Sequence, residues 1–192
     1  MKRSWLRRAA RAYTVVELMS AIAVFGIGIT GVIALQKVVL TSNTRARQVA
    51  IASQIANSWA AQLEADATLW TVDNGLANTR WLNLAPINPG VWFQPNWNPQ
   101  LQFGPAFGPL GQPMDFNADP NIAAPFCVHL RLQQVYAASP SNGVIRADIK
   151  VFWNRKHGGN VSASPCNNVI ANTADPLRFH FVMQSTAVRQ MP

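Results

Sequence analysis

The chain has only two cysteines among its 192 residues, Cys127 and Cys166, and they form no CxxC pair. Their wide separation argues against a redox dyad or a zinc knuckle. If this part of the chain lies outside the cytoplasm, the two residues predict one disulfide. It would close a loop of about forty residues and stabilise the fold by roughly 4 kcal/mol in the chain-entropy model. Two buried free thiols are the alternative.

Recognisable catalytic and metal-binding motifs are also lacking. His129, His157 and His180 show no paired metal spacing such as HExxH, and His129 and His180 fall on polar strand faces, where imidazoles are usually solvated. Asp148 and Asp175 make no convincing acid pair, and no phosphate loop, GxSxG motif or Rossmann fingerprint occurs. We therefore expect a protein that is not an enzyme and has no cofactor or metal. Catalytic groups can converge in space alone, which leaves an anchored enzyme as an alternative.

Acidic residues are few, and the positive charge is concentrated near the N-terminus. Sixteen basic and eight acidic residues give a formal charge of +8. Five of the basic residues precede position 12 with no acid among them: Lys2, Arg3, Arg7, Arg8 and Arg11. The rest of the chain carries only +3, so a nucleic-acid partner is not expected. A basic cluster beside an apolar segment instead holds a terminus on the cytoplasmic side of a membrane.

Such an apolar segment follows directly. From Leu18 to Leu35 every residue is apolar or small except one serine and one threonine, and about twenty such residues span the hydrocarbon core. The run is too long for a cleaved secretory signal, and Gln36 and Lys37 after it offer no A-x-A cleavage site. A plain signal anchor leaves Glu17 unexplained, because an unpaired carboxylate near the membrane interior costs several kcal/mol.

A cut just before Tyr13 would give Glu17 a partner, since it creates a free α-amino group four residues away. The same cut removes all five basic residues that precede position 12. The stretch AYTVVELM, which begins at Ala12, resembles the type IV prepilin signal G-F-T-L-(I/V)-E-(L/V). Ala12 stands where that family has glycine, and Tyr13 stands where it has phenylalanine. The residues from Thr14 to Leu18 match in type and order.

This resemblance implies how the N-terminus is processed and used. In that family a prepilin peptidase cuts at the position between Ala12 and Tyr13 and methylates the new amine, here that of Tyr13. The acid, here Glu17, then pairs with the amine of a neighbouring subunit during assembly. The resemblance implies a single-pass protein of the bacterial inner membrane with a periplasmic C-terminal domain, which later enters a pilus at the cell surface.

The helical pattern continues beyond the apolar segment, and no proline or glycine occurs from Val32 to Asp73. Apolar residues recur at spacings of three and four, namely Val49, Ala52, Ala56, Trp59 and Leu63. This spacing predicts one apolar helix face. We expect a single helix from about Thr14 to Leu69, some 80 Å long at 1.5 Å per residue. Its first half would cross the membrane, and its second half would pack on a sheet.

Two further stretches narrow the resemblance. The run GITGVIALQKV and the alanine-rich continuation around IANSWAAQL look like the PilV-type minor pilins and the I-type minor pseudopilins of type II secretion. That likeness covers about the first seventy residues and implies the pilin fold. Gly26, Gly28 and Gly31 lie in the membrane half, where they serve close helix packing or local melting in a filament, or are ordinary membrane-helix glycines.

Residues 71–125 are rich in proline, asparagine, glycine and tryptophan, and proline this dense forbids a long helix or a central strand. We read the region as an extended loop that crosses the sheet. Its aromatic residues either form a sugar- or partner-binding surface or, more commonly for such loops, pin the loop onto the core. They include Trp81, Trp92, Phe93, Trp97, Phe103 and Phe107.

Three later segments alternate with period two, which predicts an antiparallel sheet with one polar face. CVHLRLQQVY places Val128, Leu130 and Leu132 on the apolar face, against His129, Arg131 and Gln133. GVIRADIKVFW places Ile145, Ala147, Ile149, Val151 and Trp153 there, against Arg146, Asp148 and Lys150. LRFHFVMQSTAV places Phe179, Phe181 and Met183 there, against Arg178, His180 and Gln184. The apolar face should meet the amphipathic half of the helix.

We therefore expect an α+β protein whose long N-terminal helix packs on a small antiparallel sheet. Five regions follow: a basic leader at 1–12, a transmembrane helix half at 13–40, an amphipathic helix half at 41–70, a Pro/Trp-rich loop region at 71–125 and a sheet region at 126–192.

The expected function is that of a minor pilin precursor in a pilus assembly, priming or tip complex. Its partners would be other minor pilins, the major pilin, the prepilin peptidase and the inner membrane. Alternatives are a minor pseudopilin of type II secretion and, from another class, a membrane-anchored binding module that uses the Trp-rich loop.

Overall fold

The computed structural model of the chain describes residues 14–115, 124–136, 143–154 and 179–190. The chain forms two compact units, residues 1–46 and 47–192. One long helix, α1, runs from Val15 to Ala67, and a 3-10 turn spans Leu82–Leu84. The strands in the described ranges are β1 (Trp92–Phe93), β2 (Ala106–Phe107), β3 (Pro113–Met114), β4 (Phe126–Tyr136), β5 (Val144–Asn154) and β6 (Phe179–Arg189).

Within the first unit, the stretch of α1 from Leu18 to Leu35 is apolar on all sides. Large side chains such as Val16, Phe25 and Leu35 are more than two-thirds exposed. The helix is long and apolar enough to cross a membrane, and none of the residues in its most apolar window is buried within the protein. A helix that is apolar all round requires an apolar environment on every side, so this part of α1 fits a single membrane span.

The later part of α1 is amphipathic, as the sequence predicts. Its buried residues form one stripe: Ala52, Ile55, Ala56, Trp59, Ala60, Leu63, Asp66 and Ala67. Val49 is the exception, because its side chain is 46% exposed although the spacing placed it on the buried face. The helix ends at Ala67, after which the backbone N–H groups of Thr68 and Leu69 donate hydrogen bonds to the carbonyl oxygens three residues before them. Such tight bonds are common in the last turn of a helix.

The sheet is antiparallel throughout, with strand order β3-β2-β4-β5-β6 and with β1 paired to β4. Its three long strands coincide with the three alternating segments of the sequence to within two residues. On one face, Leu130 lies opposite Ile149 and Val128 lies opposite Val151, and all four side chains are fully buried. These residues share a hydrophobic core with the buried stripe of α1, which confirms the α+β layout.

The face prediction for β6 is wrong. Phe181 and Met183 are 50% and 53% exposed, whereas Val188 is buried and Val182 packs against the core. The register with β5 decides this, because it sets Val182 opposite Val151 and Phe181 opposite Phe152. A shift of one residue in the register of a strand exchanges its two faces. Because β6 has apolar residues on both faces, its sequence alone does not show which face is buried.

The opposite sheet face is not the uniformly wet surface that the sequence predicts. His129 and Asp148 are fully buried on it, although both were assigned to an exposed polar face. A small second cluster of buried residues covers one end of this face, made by Ala106, Ala124, Cys127 and Phe152. The short strand β1 also lies beside β4 and places Trp92 on this face, opposite Arg131.

Packing around Trp59 holds the loop region to α1. The Trp59 ring lies 5.2 Å from that of Trp81 and 4.8 Å from that of Phe103, and Phe103 in turn lies 5.6 Å from Phe107. All four side chains are buried. Tilted and edge-on aromatic contacts of this kind add to the free energy of simple burial.

Replacing Trp59 by alanine should therefore destabilise the second unit by about 3–5 kcal/mol, the usual cost of emptying a large aromatic site. The measurement is chemical unfolding of the full chain in detergent, followed by near-ultraviolet circular dichroism. Val49→Ala, on the same helix but half exposed, is the matched control and should cost less than about 1 kcal/mol. Equal losses in the two variants would contradict the assigned core.

Candidate functional site

Glu17 lies in the first turn of α1. The side-chain oxygen of Thr14, just before the helix, accepts a hydrogen bond from the backbone N–H of Glu17 at 3.3 Å. Thr14 is thus the N-cap, and the T-x-x-E spacing is that of a capping box. The sequence TVVE therefore starts the helix at Val15 and places Glu17 directly before the apolar span that begins at Leu18.

The carboxylate of Glu17 is exposed, and no residue in the described ranges pairs with it. A helix N-terminus favours an acid in its first turn by about 0.3–1 kcal/mol. The cost of an unpaired carboxylate near hydrocarbon is several kcal/mol, so the helix end alone does not offset it. The geometry leaves this carboxylate available to a cation from outside the described part of the chain.

The other residues of the processing and disulfide predictions are placed only in part. Ala12, Tyr13 and Cys166 lie outside the described residues. Cys127 lies in β4, is buried and is disulfide-bonded. The pairing of Cys127 with Cys166 stays a prediction.

The aromatic residues of the loop region divide into two groups. Trp81, Phe93, Phe103 and Phe107 are buried in the core, so they do not form a binding surface. Trp92 and Trp97 are half-buried. Of the six residues considered from the sequence, Trp92 is the one that lies beside charged side chains on the sheet.

Asp66 is a buried carboxylate that sequence reasoning missed. Its two oxygens accept backbone N–H groups from Arg80 at 2.7 Å, Trp81 at 2.9 Å and Leu82 at 3.0 Å. It thereby ties the start of the 3-10 turn to the last turn of α1. Asp66 follows Leu63 by three positions, and this place on the apolar stripe is the signal that could have identified it.

A group of cations and aromatic rings lies on the sheet face opposite the helix, and we call it the outer patch: Trp92, Arg131, Lys150, Phe181 and Met183. The Arg131 guanidinium carbon lies 4.8 Å from the centroid of the Trp92 ring. The Lys150 ammonium lies 5.5 Å from the same centroid and 4.9 Å from that of Phe181. Cations at these distances are attracted to the ring faces.

Asp148 forms the base of this patch. Its Oδ2 accepts hydrogen bonds from Nη2 and Nε of Arg131 at 2.7 and 3.0 Å, and its Oδ1 accepts from Nε of Arg146 at 3.0 Å and from the Ser185 hydroxyl. Burial by itself raises the pKa of the carboxyl. Hydrogen bonds from Ser185, Arg131 and Arg146 lower that pKa by more, so it lies below the ordinary aspartate value.

The histidines give no metal site in the described ranges, where no group of three or more His, Cys, Asp or Glu side chains could hold an ion. His129 is buried with its ring 4.7 Å from that of Phe152, which corrects its assignment as a solvated imidazole. The His180 ring lies 5.6 Å from that of Trp153. His157 and Asp175 lie outside the described residues.

Comparison of the chain with protein-family models, with curated proteins and with solved structures found no match.

Asp148→Asn should lower the free energy of unfolding at pH 7 by about 1–3 kcal/mol, because charge-assisted hydrogen bonds to a buried acceptor are lost or weakened. The folded pKa lies below the unfolded value of about 3.9, so the stabilisation is present above that value and is lost as the pH falls through the folded pKa. When the free energy of unfolding is measured between about pH 2 and pH 7, it should therefore fall less steeply toward low pH in the variant than in the wild type.

Asp73→Asn is the matched control, since Asp73 is an exposed loop carboxylate. It should leave the stability at pH 7 unchanged. If the free energy of unfolding of Asp148→Asn falls with pH as steeply as that of the wild type, the role given to this carboxyl is contradicted.

Proposed function

We propose that the chain is a minor pilin precursor, a structural subunit that joins a type IV pilus through Glu17. The proposal has no catalytic step. Its basis is the prepilin-like sequence around Ala12 and Tyr13 together with a helix that is apolar all round and then amphipathic. The sheet packed on the amphipathic part supplies a domain that such a helix would anchor.

One observation carries the proposal. The Glu17 carboxylate stands exposed at the start of an apolar span, with no partner in the described ranges. A carboxylate in that position needs a cation, and a neighbouring subunit's N-terminal amine would supply it after cleavage before Tyr13. Pairing between chains then makes assembly depend on one side chain, whereas anchoring of the single chain does not.

The shape of the helix supports the same assignment. A simple anchor needs about twenty apolar residues, whereas α1 has 53 residues and so continues for roughly nine further turns without a break. Gly26, Gly28 and Gly31 have open space where a Cβ would be. They leave a surface to which a neighbouring helix can come close.

The test is incorporation of Glu17→Ala and Glu17→Gln into filaments in the native cells. Filaments are sheared from the cell surface, and the subunit is quantified there and in the membrane by immunoblot. Both variants should reach wild-type levels in the membrane and fall about tenfold or more in the filaments, since each removes the charge that would pair with the amine.

Thr14→Val is the matched control because it removes the helix cap, worth about 1 kcal/mol, and keeps the carboxylate; since Thr14 also belongs to the cleavage signal, its N-terminal mass is measured and the comparison uses the cleaved protein. It should enter filaments nearly as well as the wild type. Normal incorporation of Glu17→Ala would contradict the proposal, and so would an equal loss in Thr14→Val, which would make Glu17 part of a cap. A loss of protein secretion with normal surface pili would assign the chain to a type II secretion pseudopilus instead.

A further inference from the structure

The outer patch has an excess of positive charge. Arg131, Arg146 and Lys150 lie on the same sheet face around one carboxylate, that of Asp148. Both arginines bind that carboxylate, and the Ser185 hydroxyl also donates to it. Asp148 is therefore fully engaged, and Lys150 has no carboxylate partner among the described residues. When Arg146 and Asp148 beneath the patch are counted with it, three cations stand against one anion, which leaves a charge of +2.

Lys150 is held in place by rings on both sides. The centroids of Trp92 and Phe181 lie 5.5 and 4.9 Å from its ammonium nitrogen. Burial and the neighbouring charge of Arg131 lower the pKa of Lys150. An anion beside the ammonium would offset both effects, since an opposite charge favours the ionised form.

The same patch exposes apolar side chains. Phe181 and Met183 are half exposed on β6, one pleat apart on the face that carries Lys150. Exposed apolar groups that surround a fixed charge are typical of protein interfaces, in which aromatic, Met and Arg side chains are enriched. The patch thus combines one site for an anion with a platform for an apolar group.

We propose that the outer patch binds a partner protein through an extended segment that presents a carboxylate beside an aromatic side chain. The carboxylate would pair with Lys150, and the aromatic side chain would cover Phe181 and Met183. The patch belongs to the sheet-bearing unit and does not involve Glu17, so the proposal stands whether or not the chain is a pilin.

Charge and geometry favour this occupant over others. Anionic membrane surfaces are recognised by clusters of about four to eight Lys or Arg residues, whereas this patch has one cation without a carboxylate partner in the described ranges. Bases and sugars need an open ring face to stack on, whereas the exposed apolar surface of this patch is divided between Phe181 and the thioether side chain of Met183. A single carboxylate with an apolar neighbour fits the uncommitted charge and the exposed surface.

The test uses the full chain in nanodiscs of zwitterionic lipid and a fluorescein-labelled hexapeptide of alternating phenylalanine and aspartate. Fluorescence anisotropy should show saturable binding below about 1 mM, absent from empty nanodiscs. Raising the salt from about 50 to 500 mM should weaken it, since the pairing is electrostatic. The peptide with asparagine in place of aspartate should bind about tenfold more weakly.

Lys150→Gln should weaken binding of the aspartate peptide about tenfold, and Met183→Ser should weaken it severalfold. The second variant changes a half-exposed residue, so it keeps the test valid if Lys150→Gln is unstable. Arg189→Gln is the matched control. It removes a positive charge from an exposed position on the same strand and face, eight residues and about 27 Å from Phe181, and should bind as the wild type does.

Four results would overturn the proposal. The first is no binding of the aspartate peptide, and the second is equal binding of the asparagine peptide. The third is binding to vesicles that contain anionic phosphatidylglycerol with the same dependence on Lys150, which would identify a membrane surface as the occupant. The fourth is concentration-dependent self-association that Lys150→Gln abolishes, which would identify a second copy of the chain.

Discussion

The packing of one narrow stripe of α1 against the sheet is the contact on which the second unit depends. Ala52, Ala56 and Ala60 are buried on this stripe, and the large side chain of Trp59 is buried beside them. The loop residues Trp81 and Phe103 then pack on Trp59. A loop so rich in proline has few backbone ladder bonds of its own, so its position rests on these rings and on the Asp66 carboxylate.

The same helix meets two different demands along its length. Its first part exposes large apolar side chains on every side, which is favourable only in an apolar environment. Its later part has one buried apolar stripe, and its exposed positions carry polar residues together with alanines and Val49, which suits a surface helix on a sheet. No proline or glycine separates the two parts, and the helix is continuous from Val15 to Ala67.

Much of this fold could be predicted from the sequence, because helix and strand periodicity are local signals. The bounds of α1 and of the three long strands follow from them. The face of β6 could not, because Phe181 and Val182 are both apolar and only the register with β5 decides between them. The burial of His129 and Asp148 was missed for a similar reason, since it depends on what covers the second sheet face. Of the candidate sites, the TVVE signal can be recognised from the sequence because its residues are adjacent in the chain. The outer patch could not be predicted, because its residues come from four different strands, β1, β4, β5 and β6.

The proposed role of Glu17 in assembly requires a free amine at Tyr13. The most direct measurement is therefore the mass of the intact protein and of its N-terminal peptide after extraction from membranes of cells with active prepilin peptidase. We expect a chain that begins at methylated Tyr13, without the five basic residues of the leader. A chain that still begins at Met1 in those cells would contradict the account. Glu17 would then face no processed amine, and the protein would be a membrane-anchored domain whose function lies elsewhere.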